Sequence, residues 1–157
     1  MTPAERMARR AAAAEACIVR FADKPYQPGK RDCTLMARHC LHKLGLKVPF
    51  AKGIRYSSEL GGVRALKAAG FSNLIDAVDS LNLPRIAPAS ALPADLIALP
   101  TDHALGALAV CIGPAAWLSY AEDFEGATRI ENVSQFLEDA KGPVAWRTLP
   151  TLEVLHG

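Results

Sequence analysis

Ala107-Leu108-Ala109-Val110-Cys111-Ile112-Gly113-Pro114-Ala115-Ala116-Trp117-Leu118-Ser119-Tyr120 is the stretch that decides the fold. An apolar run stops at Gly113-Pro114, and a second apolar run carrying two aromatic residues follows at once. Such a pattern reads as two strands joined in a hairpin. Asp95-Leu96-Ile97-Ala98-Leu99 supplies a strand before it, and residues 127–130 and 144–147 supply two after it, with a short helix over 133–140. The upstream half has a different period. Residues 3–22 read as a helix with Thr2 as cap, Pro3 in the first turn and Glu5 facing the dipole. Its expected core stripe is Ala8, Ala12, Cys17, Ile18 and Phe21.

After a break at residues 25–29, a second helix is predicted over 33–44, capped by Asp32 and stopped by Gly45. Cys33, Ala37, Cys40, Leu41 and Leu44 share one of its faces. Residues 47–54 read as a loop, 58–69 as a third helix ended by Gly70, and 73–81 as a fourth. The Gly61-Gly62 pair signals a close backbone contact or a broken first turn. Pro84, Pro88 and Pro93 mark an extended linker. Helices first and strands second define an α+β fold, with N-terminal helices packed on a small antiparallel sheet.

At 157 residues the chain is one domain of ordinary size, and 50% hydrophobic residues suffice for a core. No apolar run approaches the ~18 residues of a transmembrane helix, so membrane insertion is not expected. The N-terminus lacks the apolar region of a signal peptide, since Glu15 interrupts its best candidate, residues 11–19. The four cysteines therefore read as thiols, and without a Cys-x-x-Cys pair no zinc site is expected.

The net charge of +2 hides an asymmetry: residues 1–55 carry 12 Lys/Arg against 4 Asp/Glu, and residues 56–157 carry 6 against 12. The two halves face each other or lie on opposite solvated surfaces, or the basic half meets an anionic partner such as nucleic acid, an acidic protein or a cell-wall polymer. Nucleic acid is not the expected partner, because no helix-turn-helix, RNA-recognition or zinc-finger signature is present.

Cys33 is the candidate nucleophile. At the first turn of a helix, free N–H groups and the dipole favour a thiolate, and Arg31 adds positive potential, whereas Asp32 opposes it. Against this stands the ordinary role of a free cysteine as a small core hydrophobe. His103, preceded by Asp102 just ahead of the hairpin, is the candidate general base, with a polar turn as its plainer role. His39 and His42 read as surface histidines.

The order of parts resembles a known family. Arg31-Asp32-Cys33 opens a helix. Pro93-Ala94-Asp95-Leu96-Ile97-Ala98-Leu99 resembles the x-G-D-L-V-x-F strand of NlpC-type papain-like cell-wall peptidases, and Ala107-Leu108-Ala109-Val110-Cys111-Ile112-Gly113 resembles their H-V-G-I-Y-L-G strand. A closer likeness is to NlpC-like proteins encoded among phage and prophage tail genes. It is carried by Asp32-Cys33, Arg55-Tyr56-Ser57-Ser58-Glu59-Leu60-Gly61, Leu66, Ala69-Gly70-Phe71, Leu83-Pro84-Arg85-Ile86 and Ala145-Trp146-Arg147.

The resemblance spans roughly residues 25–148. It implies a helical extension over residues 1–24 and an NlpC-like domain over residues 25–157. In the active peptidases the histidine of H-V-G-I is the base; the matching position here is Ala107. Twelve positions on, where a second polar residue usually histidine stands, this chain has Ser119.

The resemblance therefore implies a tail-tip or baseplate component with a degenerate active site and other tail proteins as partners. Such a protein resides in the bacterial cytoplasm during assembly and then in the virion tail, and needs no cofactor or metal. The alternative is an active cysteine peptidase on peptidoglycan peptides, with Cys33 attacking, His103 as base, and Asp102 or Ser119 orienting it.

Overall fold

The computed structural model describes residues 1–48, 55–100, 106–120, 127–131, 133 and 142–149. Helix α1 runs Pro3–Phe21. Thr2 Oγ1 accepts from the Glu5 N–H at 3.1 Å while the Glu5 carboxylate accepts from the Thr2 N–H, a reciprocal capping box. Helix α2 runs Cys33–Lys43 with Asp32 as its cap, Oδ1 accepting from the Leu35 N–H at 2.8 Å. Helices α3 (Glu59–Ala68) and α4 (Leu74–Asp79) start at Ser58 and Asn73, whose side chains accept from the first-turn N–H groups.

Among the described residues six strands follow: β1 Arg85–Ile86, β2 Leu96–Leu99, β3 Ala107–Gly113, β4 Ala116–Tyr120, β5 Ala127–Ile130 and β6 Val144–Trp146. The strands pair antiparallel in the order β1-β6-β2-β3-β4-β5, and an isolated parallel bridge ties Ala22 to Ala127. The protein is thus α+β, as expected.

Strand alternation divides the core. Leu96, Ala98, Leu108, Val110 and Leu118 face the helices and join Ala13, Cys17, Phe21, Met36, Ala37, Cys40 and Leu41 in one cluster. Ile97, Ala109, Cys111 and Trp117 form a smaller cluster on the opposite face with Val133 and Ala145. The segment 1–24, read from sequence as an extension, supplies Ala13, Cys17 and Phe21 to the larger core.

Two expectations are corrected. The buried face of α1 is Arg10, Ala13, Ala14, Cys17 and Phe21, whereas Ala8 and Ala12 are exposed. An alanine run carries no phase, and a polar contact sets it instead. Arg10 lies under α1, donating to Asp95 Oδ1 at 2.8 Å and to the Pro93 and Leu149 carbonyls. Asp95 is fully buried and also receives Arg147 at 2.7 Å and the N–H groups of Leu92 and Thr148. These bonds offset the desolvation of the buried charges, and they lock α1 against the start of β2.

The region read as an extended linker also holds structure. Arg85–Ile86 pairs with β6, and Pro88–Ser90 form a 3-10 turn. The two-residue strand lies at the sheet's outer edge, where neighbouring prolines are tolerated. Nearly all of the helix expected over residues 133–140 lies outside the described residues.

Candidate functional site

Asp32 organises the start of α2. Only 4% exposed, its carboxylate accepts from the N–H groups of Leu35 and Gly29 and from the Tyr56 hydroxyl at 2.5 Å. The Gly29 contact needs glycine: its φ is +81°, and a Cβ there would stand 1.7 Å from the Tyr56 carbonyl oxygen. One carboxylate thereby ties together the loop before α2, the first turn of α2 and the segment before α3.

Cys33 follows Asp32 and points from the helix start to the sheet. The Leu108 N–H of β3, its own N–H and the Thr34 hydroxyl pull its pKa down. These donors favour a thiolate, but they are outweighed. Burial, aided by the Asp32 carboxylate, pushes the Cys33 thiol up to about 11. At neutral pH the sulfur is a protonated thiol.

All three tyrosines of the chain gather around this pair. Tyr56 bonds to Asp32. Tyr120, at the end of β4, lies on the helix side of the sheet, and its hydroxyl is buried without a hydrogen-bond partner among the described residues. Burial pushes its phenol up to about 12; Arg31 pulls the other way, and Asp32 and Cys33 add to the rise. Tyr26 meets Tyr120 edge-on at 5.6 Å between ring centroids and donates to Glu59 at 3.1 Å. Burial first, then Glu59, raises its phenol above the usual range. The site thus offers backbone donors, a free phenol and aromatic walls around a neutral thiol.

Of the residues expected at the site, Cys33 is where the sequence puts it. Ser119 is not beside it. Its β4 neighbours Leu118 and Tyr120 face the helices, so alternation turns Ser119 with Trp117 to the opposite face. There it is 1% exposed, and its hydroxyl is unpartnered among the described residues. Ala107 shares that parity, one position off the Cys33 side.

His103 and Asp102 lie outside the described residues. His39 stands over Phe21 and Arg20 at the seam with α1, and His42 is exposed near the end of α2. No described imidazole adjoins the sulfur. Sequence reasoning assigns no role to Tyr26, Tyr56 or Tyr120. Their scarcity was the one available signal, since three tyrosines in 157 residues converge on one place.

Among the described residues no group of three or more His, Cys, Asp or Glu is placed to hold a metal ion. Nor is any described helix long and apolar enough to cross a membrane.

Fold and site define an α+β protein with a half-buried thiol at a helix start, set against an antiparallel sheet. The chain belongs to the family described as a domain of unknown function, DUF6950, which matches residues 5–136. No curated protein and no solved structure matches it.

Proposed function

We propose that this chain is a phage or prophage tail-associated protein on an NlpC-type papain-like scaffold, retained as an assembly component with a degenerate hydrolytic site. One observation carries the reading: Cys33 stands at the start of α2 against the β3 backbone, as a nucleophile would, yet its thiol is raised to about 11 and no described imidazole adjoins it. Acyl transfer needs a base that takes the thiol proton and returns it to the leaving amine. Tyr120, on the helix side of the sheet and close enough to feel Cys33, is the nearby titratable group on β4 instead. A phenol held near 12 does not accept a thiol proton at neutral pH. The role follows from a scaffold that keeps its shape without its chemistry: docking on other tail proteins, in the cytoplasm during assembly and in the virion tail afterwards.

Two measurements test this. Purified chain incubated with peptidoglycan releases no more peptide than its Cys33→Ala variant. Deleting the gene from its phage or prophage blocks tail formation, and the Cys33→Ala allele restores it. Peptide release that depends on Cys33, or normal tails without the gene, overturns the proposal.

A further inference from the structure

Helix α1 shows solvent an unusual combination. Ala8, Ala12 and Val19 are exposed and Ala16 is partly so. Residues 8, 12 and 16 repeat every four positions, a ridge of small side chains that lets a second helix approach closely. One border of this ridge is cationic. Arg9 and Arg20 lie on the α2 side of α1. The Arg9 guanidinium reaches the end of α2, 3.8 Å from where a Cβ on Gly45 would stand. Arg20 donates to His39 Nδ1 at 3.0 Å. His39 in turn feels Arg20, Lys43 and His42, and no carboxylate.

The described ion pairs engage Arg10, Arg85, Arg129 and Arg147, none of them on this border. Glu5 is held in the capping box, and Glu15 follows the ridge on the side away from α2. From Arg9 to Arg20 the border runs about 16 Å along the helix, some three turns.

We propose that this face of α1 and α2 docks an acidic amphipathic helix of a partner protein. The partner's small apolar side lies on Ala8, Ala12, Ala16 and Val19, and its carboxylates turn toward Arg9, Arg20, His39 and Lys43. Glu15 fixes the orientation by repelling acidic residues from the other border. A polypeptide is favoured over nucleic acid on three grounds. The ridge is apolar and shaped for helix packing. The face carries no amide or exposed aromatic side chain to read or stack on bases. The chain's pI of 8.4 is below the range of nucleic-acid domains.

The imidazole adds a signature. His39 is held below its ordinary pKa by burial and then by Arg20, Lys43 and His42, and it meets the Phe21 ring edge-on. A carboxylate set alongside reverses that bias, so docking takes up a proton and tightens as the pH falls from about 8 to about 6.

The test is fluorescence anisotropy on the full chain with a labelled synthetic helix, glutamate on one side and alanine and leucine on the other. Saturable binding is expected, tighter at about pH 6. The Arg20→Glu/Lys43→Glu variant weakens it more than ~tenfold. Ala12→Phe, at an exposed position, weakens it similarly while circular dichroism and Tm stay unchanged. Any of three results overturns the proposal: no saturable binding, an Ala12→Phe variant that binds as the parent does, or a DNA duplex of matched charge bound as tightly as the peptide.

Discussion

At the scale of the residue, Cys33 and Asp32 show how neighbours in sequence divide their work. The Asp32 carboxylate is spent on structure, holding three donors from three segments. Tyr56→Phe removes the hydroxyl among them and should cost about 1.5–3 kcal/mol of stability by urea denaturation, the range for a hydrogen bond to a charged group. Cys33 is legible from sequence as a helix-start thiol, but its protonation state is not, because the groups around it include β3, Tyr56 and Tyr120 of β4, which lie far along the chain.

Alkylation of Cys33 in the folded protein should accelerate up to about pH 11. In denaturant the same thiol should titrate near an ordinary ~8.5. The sign for stability follows. Above the unfolded pKa the unfolded chain gives up the proton and the native state keeps it, so stability falls as the pH climbs toward 11. A flat alkylation rate between about pH 8 and 11 contradicts this.

At the scale of the element, α1 was legible as a helix to its cap, yet not in its rotation. Propensity and capping are local and written in Thr2, Pro3, Glu5 and the alanines. Which alanine is buried depends on where Arg10 finds Asp95, a residue 85 positions away. A pair of substitutions tests the rotation. Ala13→Leu, at a fully buried position, should cost about 1–3 kcal/mol by overpacking. Ala12→Leu, one residue earlier and exposed, should stay within about 0.5 kcal/mol. Equal effects in thermal denaturation contradict the burial of this face. The hairpin was likewise legible, since Gly113-Pro114 ends β3 and the apolar runs fix both strands. Strand β1 was hidden because two residues carry no period.

At the scale of the molecule, the last described strand is not at the sheet's edge. Strand β6 enters between β1 and β2 and gives β1 its one neighbour in the sheet. Just beyond it, Arg147 and Thr148 complete the shell around buried Asp95. A chain ending before Val144 leaves β1 unpaired and strips Asp95 of those donors. It should lose the cooperative unfolding transition seen by circular dichroism. Retention of the parent Tm contradicts that role for β6.

The sequence by itself determined what depends on near neighbours: the helices from α1 to α4 with the caps of the first two, the main strands, the change from helical to alternating period, and a cysteine in the first turn of α2. Capping, turn chemistry and periodicity act over a few residues, so they can be read directly. Only the tertiary structure decided which face each strand turns to Cys33, and therefore that Tyr120 rather than Ser119 stands on its side. A shift of one strand position exchanges the two faces of a sheet. The parity that settles it comes from packing against α1 and α2, which no local pattern encodes.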